Sequence, residues 1–354
     1  MYVSHHNVTN NLPSQARTRL VGHEGPIKAV TFSHDGKYCI TAGYDRTVRL
    51  WNPTRIDPCF NQNIASTLSS SSMNNLLTTP IDSIPHALPI QSYMDGHTHP
   101  ISSIDIDDTS TTLLSASNKA MIVTDVITKK LQRRFQGHAG VINTVACSSG
   151  GSVFASGSYD GTVRIMDGRS FSNTPIQILS DAKDSITCVK ILEKDNDIAE
   201  ICSVSVDGSI RTYDIRKGCL HVESFGEDVA LTSVAFTSDL LCSVVSSLNG
   251  AIYVLEKESG THINTCYGGH TAGRYSLDVG ITADDQHIVS GSEDGSAVIY
   301  DFVTGKVVQN LKGHKKASAV AVHPVRDHSS ILITGSYDGN AVVWSNGNEI
   351  FQTS

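Results

Sequence analysis

The sequence predicts an all-β chain folded as a single seven-bladed β-propeller, and three observations carry that prediction. A short phrase recurs: "TAGYDRTVRLWN" (Thr41 to Asn52), "SGSYDGTVRIMD" (Ser156 to Asp167), "SGSEDGSAVIYD" (Ser290 to Asp301) and "TGSYDGNAVVWS" (Thr334 to Ser345). Counted on its aspartate, the phrase returns at Asp45, Asp160, Asp207, Asp294 and Asp338, with Asn118 and Asn249 in the gaps, at spacings of 73, 42, 47, 42, 45 and 44 residues. Six spacings define seven units, and five of them fall near the period of about 40–45 residues at which four-stranded blades repeat. The flanks keep register as well. A hydroxyl stands four residues before the origin (Thr41, Ser156, Ser203, Ser290, Thr334), a bulky side chain six after it (Trp51, Met166, Tyr213, Tyr300, Trp344), and a Gly-His pair 21 to 24 before it (His23, His97, His138, His270, His314).

Each unit writes its strands in order. The run after Gly-His, as in "GPIKAVTFS" and "GVINTVACS", is the innermost strand. The next run ("VFASGS", "HIVSGS", "ILITGS") is the second, and "TVRIM" or "AVVW" is the third. Asp-Gly between two alternating, β-branched runs marks a tight hairpin joining second to third. The fourth strand precedes the following Gly-His, as in "KLQRRFQGH" and "KVVQNLKGH". Blades 4 and 5 lack the Gly-His pair, and blade 5 has Asn249 at the origin and Leu255 at the bulky position. The chain opens on "RTRLVGH", a strand with no blade before it, and its last unit ends after a third strand. Arg17–Val21 is therefore expected to complete the last blade beside Ala341–Trp344, closing the ring without a long free edge. The expected organisation is a tail at 1–16, the propeller at 17–345, and a tail at 346–354. Pro53 to Ile90 accounts for the long first spacing. Rich in Ser, Asn, Thr and Pro and without strand periodicity, it is expected to be a flexible loop of blade 1 on the face opposite the Asp-Gly hairpins.

Composition narrows the function classes. The net charge is −8 with a pI near 6.0, which argues against a phosphate-tracking surface, so direct nucleic-acid binding is not expected. Eight cysteines include no C-x-x-C pair and read as free, mostly buried thiols of a reducing, intracellular compartment. No stretch has the length and apolar character of a membrane span. No phosphate-cradling glycine loop is present, and no cofactor is expected. In "GHTHP", His97 and His99 offer two imidazoles, but His97 belongs to the repeat, so no metal site is expected.

A buried carboxylate must be paired. A hydrogen-bonded chain from Trp through the hydroxyl and His to Asp would satisfy all four groups at once. The full sets are His23/Thr41/Asp45/Trp51 and His314/Thr334/Asp338/Trp344; His138/Ser156/Asp160 and His270/Ser290/Asp294 lack the Trp. These positions resemble the structural tetrad of WD-repeat proteins. Ser-His-Asp also suggests a hydrolytic triad, but recurrence blade after blade gives no single site a special status, and no catalysis is expected.

The residue before each origin sits at the rim of the face where propellers bind partners: Tyr44, Ser117, Tyr159, Val206, Leu248, Glu293 and Tyr337. Tyr44, Tyr159 and Tyr337, with Glu293, Arg274, Tyr275 and Lys28, form the candidate partner surface, since tyrosine is enriched in binding hot spots. Alternatively, tyrosine there merely suits the turn and caps the neighbouring blade. Asp167 with Arg169 ("MDGR") and Asp214 with Arg216 ("YDIR") resemble the box that WD-repeat substrate receptors present to the adaptor of cullin-type ubiquitin ligases. Both lack its Trp, and Asp-x-Arg suits a local ion pair equally well.

The longer phrases "YCITAGYDRTVRLWNP", "RRFQGHAGVINTV" and "SSLNGAIYVLEKESGTHINTCYGGHTAGRYSLDVGI" resemble the mitogen-activated protein kinase organizer family, over most of residues 18–345. That resemblance implies a non-catalytic scaffold, a monomer within larger complexes, whose partners are splicing factors of the spliceosome or members of a kinase cascade, in nucleus and cytoplasm. The competing reading is a ubiquitin-ligase substrate receptor.

Overall fold

In a computed structural model, which describes residues 12–57, 84–94, 96–194, 197–226, 228–314 and 317–346, the β-branched runs pair into seven sheets, one per repeat. The innermost strands are Ile27–Phe32, Ile101–Ile106, Ile142–Cys147, Ile186–Lys194, Leu231–Phe236, Val279–Ile281 and Ala317–Val322. Each touches the next around the ring, and the last meets the first. The chain is an all-β, seven-bladed propeller.

The core lies between blades. Leu20, Ile27, Phe32, Trp51, Ile333 and Val343 fill the space between the last blade and the first, and six further clusters join the other neighbours. With both faces covered, second strands such as Val153–Ser158 and Leu332–Ser336 are buried along their whole length, which explains their run of small and apolar residues. In blades 3 and 7 the next blade's inner strand comes so close to the residue three before the origin that glycine is needed there. A Cβ on Gly157 would stand 2.5 Å from Ile186, and one on Gly335 2.8 Å from Val30.

Closure uses the first strand. Gln15–Val21 pairs antiparallel with Asn340–Ser345, from Gln15 opposite Ser345 to Val21 opposite Asn340. A fifth strand, His86–Ala87, then runs parallel to Arg19 and Leu20 on the outer side. The Arg19 N–H donates to Pro85 O at 2.8 Å, Ile56 bridges Ala87, and the Asp57 N–H donates to His86 O at 2.8 Å. The two described ends of the insertion therefore meet at the outer edge of the last blade. The outer edge of Gln15–Val21 offers backbone groups that need partners, and Ala87 is fully buried beside Leu20 and Trp51. Residues 58–83, with Cys59 and most of the expected loop, lie outside the described residues, as do 1–11 and 347–354.

Candidate partner-binding face

One chain of hydrogen bonds ties the hairpin of blade 1 to its neighbours. The Trp51 indole N–H donates to Thr41 Oγ1 at 2.8 Å, that hydroxyl lies 2.7 Å from His23 Nε2, and His23 Nδ1 lies 2.8 Å from Asp45 Oδ2. Desolvation pushes the Asp45 carboxyl up, but the hydrogen bonds and charge of His23 and the bonds from Thr47 outweigh it and hold it well below the usual carboxylate range. Blade 7 repeats the arrangement more loosely. Trp344 donates to Thr334 at 2.8 Å, His314 Nε2 lies 2.7 Å from the same hydroxyl, and His314 Nδ1 is 3.5 Å from Asp338. In blade 3, His138 lies 2.9 Å from Ser156 and 3.0 Å from Asp160, while Met166 brings no donor.

Blade 6 departs from the expected set. His270 Nδ1 meets the Tyr300 hydroxyl at 2.6 Å, and that hydroxyl donates to Gly268 O at 2.7 Å. Ser290 donates to Gly291 O at 3.1 Å, and Asp294 accepts from the backbone and hydroxyl of Ser296, so His270, Ser290 and Asp294 are not joined. The reason is geometric. A phenol carries its hydroxyl at the far end of the ring, and Gly268 and Gly269, at φ 76° and 84°, steer the chain into its reach. In blade 4, Arg211 replaces the missing His, its two terminal nitrogens 3.2 and 2.8 Å from the Asp207 oxygens. In blade 2, His97 lies between Ser117 at 2.7 Å and Ser115 at 2.8 Å, and desolvation, aided by Arg134, lowers it to about 4. Both His97 nitrogens are thus engaged within the blade.

These ties hold the hairpin turns against the starts of the inner strands. The Tyr44 N–H donates to Pro26 O and the Tyr159 N–H to Val141 O, both at 2.8 Å, which fixes the two hairpin turns. Tyr44 is 55% and Tyr159 69% exposed. Tyr337 is half-buried; Lys28 Nζ donates to its hydroxyl at 2.7 Å, and its ring centroid lies 5.0 Å from that of Tyr275. A cavity of about 700 Å³ opens here, and Lys28, Tyr44, Arg274, Tyr275 and Tyr337 all line it, whereas Tyr159 and Glu293 do not. Glu293 Oε1 accepts the N–H groups of Arg274 at 2.6 Å and Tyr275 at 2.9 Å and so shapes the blade 6 turn.

Sequence reasoning missed the channel waist. Asp105 and Lys190 line both this cavity and a second of about 510 Å³ behind it. They occupy one register position, directly after the residue paired with the hydroxyl position of each second strand. The equivalents in the other blades are Thr31, Ala146, Ala235, Gly280 and Ala321. Two charges among five small residues would have been a usable signal. Desolvation lowers the Lys190 ammonium, but the fields of Cys188, Asp105 and Asp278 outweigh it and leave it above its ordinary value. By surface area Lys190 is exposed, yet protein surrounds it; a side chain lining an open lumen has both properties. Desolvation also pushes Asp278 up to about 6, against the fields of Lys190 and Lys28.

The two Asp-x-Arg stretches are one case of a turn that recurs. Asp167 accepts the Arg169 N–H at 2.8 Å and Asp214 the Arg216 N–H at 2.7 Å, while the Arg169 side chain lies 3.8 Å from Asp167. At the same register Asn52 accepts the N–H of the residue two on, and Asp125 and Asp301 accept that of the residue three on. The local reading accounts for these aspartates.

The WD domain, G-beta repeat family (WD40) matches residues 14–52, 88–125, 129–167, 260–301 and 305–345, each match running from the fourth strand of one blade through the three inner strands of the next, in blades 1, 2, 3, 6 and 7 respectively. WD repeat domain-containing protein 83 of Homo sapiens is 32% identical over 315 residues, 88% of this chain and 87% of that protein. Its Xenopus tropicalis counterpart is 32% identical over 335 residues, 94% and 93% of the two chains. The Dictyostelium discoideum homolog is 27% identical over 350 residues, 92% of this chain and 96% of the other.

Proposed function

Since the chain belongs to the WD40-repeat family and is homologous to WD repeat domain-containing protein 83 over most of its length, we propose that it is a non-catalytic scaffold of the mitogen-activated protein kinase organizer type. A WD40 propeller is a protein–protein interaction module, and this chain carries the rigid framework such a module needs. Its partners on this reading are splicing factors, kinase-cascade members, or both, in nucleus and cytoplasm. The observation that carries the reading is the channel mouth, where exposed Tyr44 stands beside Lys28, Tyr275 and Tyr337 around one cavity. Aromatic side chains on a rigid rim present contact area at little entropic cost.

The test is recovery of the tagged full chain from separate nuclear and cytoplasmic extracts, with nuclease treatment. Nuclease-resistant splicing proteins in the nuclear fraction support a splicing role; kinases without splicing factors support the signalling role. Replacing Tyr44, Tyr159 and Tyr337 together by Ala is expected to abolish recovery while leaving the far-UV spectrum unchanged. Full recovery by this variant sinks the assignment of the face.

A further inference from the structure

We propose that the channel mouth takes an acidic, extended segment of a protein partner, with one carboxylate entering the channel toward Lys190. This rests on the reading of that mouth as the partner surface and names the chemistry it accepts. The chain as a whole carries a net charge of −8, yet the cavity is lined by Lys28 and Arg274 at its mouth and Lys190 at its waist. Among the described residues no carboxylate forms an ion pair with any of the three.

The acids nearby are committed elsewhere. Asp105 accepts the Ile106 N–H at 3.0 Å through one oxygen and the Cys147 N–H at 2.8 Å through the other. Asp278 accepts the Val320 N–H. Glu293 holds the turn that carries Arg274. Backbone donors thus hold these carboxylates in place, Lys28 leans on the Tyr337 hydroxyl, and Arg274 and Lys190 are left without a carboxylate at ion-pair distance among the described residues. A basic guest would meet Lys28 and Arg274 before any acid. An acidic guest gains those charges in a partly enclosed lumen, where screening by water is weaker than on an open surface. Tyr44, Tyr275 and Tyr337 supply apolar walls for the aliphatic stems of a peptide.

The experiment is fluorescence anisotropy of the full chain with labelled octapeptides of Glu, Gln and Lys, at low and high salt. The Glu octamer is expected to bind with an affinity that falls as salt rises. The Gln and Lys octamers are expected to bind at least about tenfold more weakly, and Lys190→Gln or Arg274→Gln to weaken the Glu octamer by about tenfold, the scale of one charge-assisted hydrogen bond. Arg274 lies in an exposed turn, so its variant keeps the test sound even where Lys190→Gln perturbs packing. Preference for the Lys octamer, or a Glu affinity indifferent to both substitutions, overturns the proposal. If the Glu octamer fails while the tyrosine variant still loses its partners, the acidic chemistry falls and the face stands. If the tyrosine variant keeps its partners, the face falls and the proposal with it.

Discussion

Thr41→Val keeps the shape of a fully buried side chain and deletes one oxygen. That oxygen accepts from the Trp51 indole and lies 2.7 Å from His23 Nε2, so its removal leaves two polar groups without partners in the blade interior. Each such orphan costs about 1–3 kcal/mol, which puts the total at ~2–6 kcal/mol. A chain of 354 residues unfolds with an entropy of about 0.7 kcal/mol per kelvin at ~2.1 cal/mol/K per residue, so Tm is expected to fall by about 3–8 °C. Scanning calorimetry at neutral pH measures this directly. Ser290→Ala in blade 6 is the control, because that hydroxyl reaches only Gly291 O, at 3.1 Å. Its loss should cost about 1 kcal/mol, a shift of less than about 2 °C. Trp51→Phe removes one of the two orphaned groups in advance, so Thr41→Val should cost at least about 1 kcal/mol less in that background. Equal shifts for Thr41→Val and Ser290→Ala, or strict additivity of Thr41→Val and Trp51→Phe, would refute the claim that one hydroxyl ties blade 1 together while blade 6 is held differently.

Three further outcomes are expected. Folded protein keeps the Asp278 proton up to about pH 6, whereas an unfolded chain releases it near ~3.9, so stability is lost as pH rises from about 4 to 6 and stays lost above. Asp278→Asn should therefore stabilise the protein by about 1–2 kcal/mol at pH 7, after discounting for the open lumen, and by nothing below about pH 4; urea midpoints at both pH values decide, and a pH-independent difference counts against the argument. Asp207 and Arg211 have side chains only 6% exposed, so Arg211→Met should cost about 3–5 kcal/mol, most of it recovered by adding Asp207→Asn; a double variant as weak as the single contradicts this. Removing residues 1–22 strips the last blade of the strand that buries Thr18 and Leu20, and the urea transition should drop and broaden; an unchanged midpoint would mean the ring closes without it.

What the residues disclosed and what they hid follows from distance along the chain. The hairpin at Asp160 and the tetrad partners of Asp45 were readable because every participant lies within one repeat at a fixed offset. Arg211 also lies only four residues after Asp207, and a basic residue at that offset could have been read as the substitute for a missing His. His270 misled because its partner depends on how far a tyrosine hydroxyl reaches past the serine, a matter of side-chain length that register does not encode. Glu293 looked like an exposed rim charge, and only the path of the turn at Arg274 and Tyr275 shows where its carboxylate is used. Asp105 and Lys190 share a register position that the repeat could have revealed, whereas Asp278 lies off that register and joins them only because the ring closes. His86–Ala87 is two residues long, too short for any alternation to reveal.

That short strand bears on how the protein is made. The strand Gln15–Val21 leaves the ribosome early, but its main partner, Asn340–Ser345, is synthesised roughly 320 residues later, about 15–65 s at ~5–20 residues per second. Through that interval a strand with two bare edges would be open to pairing with other nascent chains. His86–Ala87 emerges within the first ~15 s and can shield one edge, while Arg17 and Arg19 put charge on the strand itself. The order of synthesis thus makes the edge cover available long before the permanent partner, so the two edges of the closing strand are completed at very different times.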